Sequence, residues 1–324
     1  MRAGLVVVTG AGGFIGHALV AHFRDSGRLF RALVRPHGPV AVLPERHHAI
    51  ADLAAISDDE LDALLGGATA VVHLAGRVHV MRETAADPDA EYRAANVIAT
   101  KRLARAALRA GVERLVFAST VKVNGESTQP GRPFDPDDAP SPRDAYARSK
   151  LEAERELAGI CAGHSMTPVI LRLPLVYGPG VGGNFLTLLD EIARGRALPF
   201  GAIDNRRSIL GVGNLVDAVD AALDAPLPPR GVHFVADRES VSVPDLVRAI
   251  AAALRVPVRL HAIPVPLLRI AALVTGRGAM VARLVNSLEV DASSFSAATG
   301  WRPRHALAEG LDATARWWRI RHAI

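Results

Sequence analysis

Residues 4–16 read Gly4-Leu5-Val6-Val7-Val8-Thr9-Gly10-Ala11-Gly12-Gly13-Phe14-Ile15-Gly16. An unbroken apolar run that stops at glycine is the pattern of a parallel strand covered on both faces. Gly10, Gly13 and Gly16 then allow a tight turn and close approach of the backbone to a ligand. Residues 14–26 follow as a helix, stopped by Gly27. A helix N-terminus presents unpaired N–H groups and the positive end of its dipole. Strand, glycine turn and helix in this order therefore make a seat for an anion such as a dinucleotide pyrophosphate.

The same alternation continues outward. Residues 29–34, 48–52, 70–75, 114–119 and 169–173 read as further strands, with a helix over 89–110 closed by Gly111. This spacing predicts an α/β fold with a Rossmann-type doubly wound parallel sheet. Residues 128–143 carry five prolines in sixteen positions, so they form a loop that leads into a helix at Tyr146. Beyond Gly180 the pattern is less regular. Helices are expected at 185–194, 214–223, 244–254, 266–274 and 307–319, with a strand at 231–235. The expected division is a dinucleotide-binding domain over 1–177 and a smaller substrate lobe over 178–324, partly interleaved.

Of the 324 residues, 49% are apolar and 22% charged, as in a soluble globular protein. The one cysteine, Cys161, excludes an internal disulfide and points to a reducing, cytoplasmic setting. The N-terminus lacks a signal-peptide pattern. The apolar stretch 262–285 is interrupted by Arg269, Arg277, Arg283 and two prolines, so it reads as packed helix and not a membrane span. The net charge of +5 comes from scattered arginines without a dense basic block, a solvated surface and not a nucleic-acid face. Anionic small substrates are compatible with it, and no metal site is expected.

Tyr146 and Lys150 lie four apart, hence one turn apart on one helix face. A free tyrosine, with a pKa of about 10, is a poor base near neutrality. A fixed ammonium that lowers it by about 3 units supplies roughly 4 kcal/mol. Only three tyrosines and three lysines occur in this arginine-rich chain, which gives the pairing weight. The second strand ends Leu33-Val34-Arg35-Pro36 with no carboxylate for a ribose diol. Arg35 is either a partner for a 2′-phosphate, favouring NADP, or a solvated arginine. Asp52 and Leu53 are either an adenine contact or a helix cap.

The run from Thr9 to Gly16, His73-Leu74-Ala75-Gly76, Asn96, Ser119-Thr120, Tyr146-x-x-x-Lys150, Arg172-x-Pro174 and Tyr177-Gly178-Pro179-Gly180 occur in one order. In that order the chain resembles the extended short-chain dehydrogenase/reductases, in their nucleotide-sugar epimerase/dehydratase branch, and is similar to UDP-glucose 4-epimerases. The resemblance implies that NAD or NADP is held by Gly10, Gly13, Phe14, Ile15, Gly16, Leu74, Ala75, Gly76, Asn96 and Ser119. It implies Tyr146 as acid and base, and Lys150 as the group that binds the nicotinamide ribose and lowers the tyrosine pKa. Thr120 falls at the catalytic Ser/Thr position with Ser119 as its helper, both touching substrate. Asn184 and Arg207 fall where the family contacts a nucleotide diphosphate, and Arg283 is the candidate for a second phosphate arginine.

Departures matter as well. Val121 and Lys122 stand where 4,6-dehydratases of this branch carry an acidic pair, so water elimination lacks its acid and base. Asn124 replaces an aromatic, implying a more polar pocket wall, and Gly211 replaces a larger residue. The expected activity is C4 epimerisation of a nucleotide sugar, with UDP the expected nucleotide. The alternative is a 4-keto reductase acting on a UDP-4-keto-6-deoxy-N-acetylhexosamine. An alternative of another class is a non-catalytic NAD(P)-sensing protein, since fold does not fix function. The family also implies a homodimer through the helix at 89–110 and the Tyr146 helix. Leu103, Ala107, Leu151 and Leu157 would serve such a contact, although core packing explains them equally.

Overall fold

Residues Leu5–Thr9 form strand β1, and Val6, Val7 and Val8 have no solvent exposure because helices cover both faces of its sheet. The computed structural model describes residues 4–36, 47–78, 86–276 and 278–322. The first half continues with α1 (Phe14–Ser26), β2 (Phe30–Val34), β3 (His47–Ala49), α2 (Asp58–Leu65) and β4 (Ala68–His73). It then runs through α3 (Pro88–Tyr92), α4 (Ala99–Arg109), β5 (Arg114–Thr120), α5 (Ala145–Cys161) and β6 (Thr167–Leu173). The second half holds β7 (Leu175–Tyr177), α6 (Gly183–Ala193), β8 (Ile209–Gly211), α7 (Val212–Asp224), β9 (Gly231–Phe234) and α8 (Val243–Leu254). It ends with α9 (Val265–Val274), α10 (Gly278–Val285), α11 (Ser293–Thr299) and α12 (Leu307–His322).

Seven strands pair in the order β3-β2-β1-β4-β5-β6-β9, every neighbouring pair parallel. The period of two along β1 splits its valines between two cores. Val6 and Val8 pack with α1 and α7, through Leu19, Phe23, Leu215 and Val219. Val7 packs with α2, α4 and α5, through Leu61, Leu103, Ala107 and Leu157. The last strand, β9, comes from beyond residue 178 and extends the sheet beside β6. β7 and β8 form a separate two-stranded parallel sheet.

The expected elements shift in informative ways. The fourth strand ends at His73, although the Leu74 N–H still reaches the Thr9 carbonyl at 3.2 Å. Helix α2 was not expected, although Ser57 and Glu60 spell its cap: the Ser57 side chain accepts the Glu60 N–H at 3.2 Å. The helix expected over 89–110 is α3 and α4 joined by a π-helical segment, Arg93–Ile98. The short strands β7 and β8 and helix α11 were also not expected, whereas α10 falls within the stretch 262–285 read as packed helix. The apolar stretch 262–285 is packed on one side only, through Val265, Leu268 and Val281 against Ile203, Val243 and Val285. Among the described residues no helix is long and apolar enough to cross a membrane.

Two points left open by the sequence are decided here. Leu103, Ala107 and Leu157 have no exposure and Leu151 has 9%, so these positions serve the protomer's own interior and not a surface for a second copy. Gly211 now has a reason. A Cβ there would meet the Tyr177 hydroxyl at 3.2 Å, and its N–H donates to the Asp237 carboxylate, which also accepts from the Tyr177 hydroxyl at 2.9 Å. The buried tyrosine fills the space a side chain would need.

Gly10 has φ +71°, and a Cβ there would lie 2.6 Å from the Ala75 nitrogen, whereas one at Gly12 meets only Val34 methyls at 3.8 Å or more. Gly10→Ala is therefore expected to cost about 1–3 kcal/mol in urea unfolding, and Gly12→Ala close to nothing.

Candidate active site

Helix α5 starts where Asp144 caps it: Oδ1 accepts the Ala147 N–H at 2.7 Å. Oδ2 accepts from Lys122 Nζ, also at 2.7 Å. Lys122, at the place of a dehydratase acid, thus fixes the start of the helix that carries Tyr146 and Lys150. Strand β5 ends at Thr120, whose hydroxyl lies beside that of Tyr146 and acts to lower its pKa. Tyr146 sits with its ring 6.1 Å from that of Tyr92.

Lys150 is 4% exposed. Its Nζ donates to the Ala118 carbonyl at 2.8 Å and lies 4.4 Å from the centre of the Phe117 ring. Burial pulls its pKa down to about 8, against the opposing charge of Glu154. The tyrosine differs from the expectation. Burial pushes the Tyr146 phenol well above its ordinary range, the Thr120 hydroxyl opposes this, and Asp144 and Tyr92 add to it. The ammonium on the next turn is directed to Ala118 and Phe117, so the protein alone does not lower the tyrosine pKa.

Glu154 was missed, though its spacing was visible: Tyr146, Lys150 and Glu154 continue one helical face at four-residue steps. Its carboxylate pairs in a fork with Arg172, through Nη2 at 2.6 Å and Nε at 3.1 Å, both residues 4% exposed. The Ser119 hydroxyl also donates to Glu154. Ser119 therefore points beneath the site, away from the role of helper to Thr120 expected for it. Asn124 is corrected too: it is 3% exposed, and its Oδ1 accepts from Arg172 Nη1 at 2.9 Å, so it belongs to this buried network and not to a pocket wall.

The dinucleotide seat has its parts in register. Gly13 begins α1 with no side-chain cap and no acid in the first turn, leaving the N–H groups of Phe14, Ile15 and Gly16 at the open end of the dipole. A Cβ on Gly16 would run into the Gly10 carbonyl, and one on Gly180 would touch Phe14 at 3.4 Å. Leu74 and Ala75 pass directly beside Gly10. At Gly76 a Cβ would lie 2.8 Å from Asn96 Oδ1 and 3.4 Å from Lys150 Nζ, so this glycine is where the segment after β4 meets the lysine.

Asn96 sits in the π-helical segment, a distortion that recurs at functional sites. Its side chain clasps the Arg77 backbone, accepting the N–H at 2.8 Å and donating to the carbonyl at 3.0 Å. It also donates to Ser149 Oγ at 2.8 Å, and Ser149 in turn donates to the Tyr146 carbonyl at 2.8 Å. Thr100 donates its one proton to the Asn96 carbonyl at 2.6 Å, so it accepts from His73 Nε2 at 2.9 Å. His73 Nδ1 then accepts from Thr9 at 2.7 Å. Burial holds this imidazole neutral, with its pKa pulled down to about 3.

The remaining candidates divide. Arg35 is exposed and has no hydrogen bond or ion pair with a described residue. Asp52 uses Oδ1 in a local turn, accepting the Ala54 N–H at 2.8 Å, and Leu53 packs against the core beside α2. Arg207 and Arg283 are brought together: Arg207 Nη1 donates to the Arg283 carbonyl at 2.7 Å and to that of Asn286 at 3.0 Å. Desolvation lowers the Arg207 pKa, and no carboxylate among the described residues pairs with it. The Arg283 side chain is half-buried without a described partner. Asn184 is exposed in the first turn of α6, a helix start with no side-chain cap and no acid. Among the described residues no group of three or more His, Cys, Asp and Glu side chains is placed to hold a metal ion.

A glycine-turn dinucleotide seat beside a Tyr-x-x-x-Lys helix defines the class of short-chain dehydrogenase/reductases. Within it, the chain belongs to the NAD dependent epimerase/dehydratase family, whose sequence profile matches residues 6–236. It is 37% identical over 315 residues to a UDP-glucose 4-epimerase of Vibrio cholerae, covering 96% of this chain and 94% of that protein. The structure of MoeE5 with UDP-glucose and NAD is similar at a TM-score of 0.75 and 29% identity, over 98% of this chain and 99% of that one. The UDP-glucose 4-epimerase of Thermus thermophilus with NAD shares the fold at a TM-score of 0.78 and 23% identity, over 97% and 99%. The family is NAD-dependent, and the uncapped α1 start with its Cβ-intolerant glycines fits that cofactor.

Because the folded protein holds the Lys150 pKa near 8, against an ordinary 10.5, the charged lysine opposes folding below about pH 8. The opposition fades as pH rises toward the unfolded value, and the gap corresponds to roughly 3 kcal/mol. Lys150→Met is therefore expected to unfold at higher urea than the wild type at pH 7. That advantage should shrink between pH 8 and pH 10, as read from paired urea titrations.

Proposed function

We propose that this chain interconverts the C4 epimers of a UDP-hexose or UDP-N-acetylhexosamine. The observation that carries the reading is the convergence of Thr120 at the end of β5 with Tyr146 and the buried Lys150 ammonium on one face of α5. Tyr146 removes the proton of the C4 hydroxyl and later returns one to the same oxygen, which Thr120 holds by a hydrogen bond. Lys150 holds the ribose next to the reacting carbon and its charge favours the phenolate once the site is closed to water. Bound NAD supplies the reversible acceptance of hydride that turns the C4 alcohol into a ketone and back. Gly10, Gly13 and the first turn of α1 receive its pyrophosphate, and Gly76 and Asn96 shape the wall beside Lys150.

Arg207, desolvated and without a carboxylate partner among the described residues, is suited to a diphosphate, with Arg283 and Asn184 as further contacts. Binding energy spent on the diphosphate leaves the sugar free to turn over and present its other face. Residues up to about 177 serve the cofactor in this reading, and the later residues serve the sugar nucleotide. Dehydration is disfavoured because Val121 is buried in an apolar cluster with Phe234 and Leu288, and Lys122 is committed to Asp144. A 4-keto reductase would use the same residues once, in one direction. Exposed Arg35, without a partner among the described residues, favours that second reading through a 2′-phosphate, whereas the family's NAD dependence and the Vibrio relative favour the epimerase.

Proton NMR of UDP-glucose and UDP-N-acetylglucosamine incubated with the protein, without added dinucleotide, tests this. The C4 epimer of one of them should accumulate to equilibrium, and Tyr146→Phe should slow this by about 100-fold or more. No epimer from either substrate, or an unimpaired Tyr146→Phe variant, would defeat the reading.

A further inference from the structure

Helix α9, Val265-Pro266-Leu267-Leu268-Arg269-Ile270-Ala271-Ala272-Leu273-Val274, is apolar on every side but one. Its inner face, Val265, Leu268 and Ala272, is spent on the protein, two of these three in one cluster with Val281 and Val285 of α10. The opposite stripe is exposed: Leu267 at 55%, Ile270 at 57%, Leu273 at 76% and Val274 at 84%, with Met280 of α10 at 42%. Leu267, Ile270 and Val274 follow the i, i+3, i+7 spacing of one helix face. An ordinary surface helix carries polar residues there, and a contiguous apolar face marks a contact surface.

The charges around it say what kind of surface. Residues 255–288 contain five arginines and no aspartate or glutamate. Arg269 is exposed on α9 itself, Arg255 and Arg259 are exposed in the segment that leads into α9, and Arg283 is half-buried on α10. An apolar helix face in a segment whose only charged residues are arginines is complementary to the headgroup region of an anionic bilayer. A second copy is a poor match. A two-fold contact through this face would set the same arginines against one another with no acid from the segment to pair them. Crossing a bilayer is also excluded for these helices: ten residues of α9 span about 15 Å, half of a hydrocarbon core.

We propose that α9 and α10 form a docking surface for anionic phospholipid membranes, lying in the interface with Leu267, Ile270, Leu273 and Val274 among the acyl chains. The docked helices are continuous with the proposed diphosphate site, because Arg207 hangs from the carbonyls of Arg283 and Asn286. The proposal does not depend on which reaction that site performs.

Co-sedimentation of the whole protein with vesicles tests it, comparing phosphatidylglycerol–phosphatidylcholine mixtures with pure phosphatidylcholine. The wild type should partition about tenfold more into the anionic vesicles, and added salt should reduce this. The exposed triple variant Leu267→Ser/Ile270→Ser/Leu273→Ser should lose about tenfold of that binding at an unchanged thermal midpoint. Arg259→Glu/Arg269→Glu should keep the apolar face yet lose the preference for anionic lipid. Equal sedimentation of the wild type with both vesicle types overturns the proposal, as does a triple variant that binds like wild type. Loss of a self-associated form in the triple variant, with no vesicle binding by the wild type, would assign the face to a second copy instead.

Discussion

One buried carboxylate organises the catalytic end of this protein. Glu154 on α5 receives the forked guanidinium of Arg172 from β6 and the hydroxyl of Ser119 from β5. Three elements are thereby locked at one point beneath the surface where Thr120, Tyr146 and Lys150 emerge. Removing one partner of such a pair typically costs about 3–5 kcal/mol, because the other is left as an unpaired buried charge. The same carboxylate raises the Lys150 pKa, against the desolvation that lowers it. One group beneath the site thus ties three of its elements together and opposes the loss of the lysine's charge.

Around that point the fold feeds the site from the carboxyl ends of its strands, where ligands bind in open α/β sheets. β1 ends in the glycine turn, β4 delivers Leu74 to Gly76, and β5 delivers Thr120. The wire from Thr9 through His73 and Thr100 to Asn96 ties β1, β4 and α4 together with neutral groups only. On the far side, residues 286–291 stitch the proline-rich loop to the Arg207 segment: Phe134 donates to the Glu289 carbonyl, and Ser208 to that of Leu288. The half of the chain that would hold substrate is therefore fastened to the half that holds Tyr146.

Much of this was legible locally. The strand, glycine turn and first helix could be read because burial on both faces forces an apolar run, and the glycines leave no room for a Cβ. The Tyr146–Lys150 face follows from helical geometry alone. What escaped depends on partners distant in sequence. Nothing near Glu154 announces Arg172 eighteen residues later. Asn124 turned inward because that same arginine had a donor to spare. The π-helical segment inserts a register change that a 3.6-residue period does not register, and β7 and β8 are too short to show alternation. The tyrosine pKa was misjudged for a related reason: spacing shows that an ammonium is near, but not that a carbonyl and a ring hold it.

The account stands or falls on a cofactor that is carried through both half-reactions by the protein. The direct measurement is to denature the purified protein and identify the dinucleotide it releases by chromatography. Near-stoichiometric NAD is the predicted result, since an epimerase returns the hydride it takes. A protein that emerges empty and binds added NADPH would contradict it, and would move Arg35 and the reductase reading to the front.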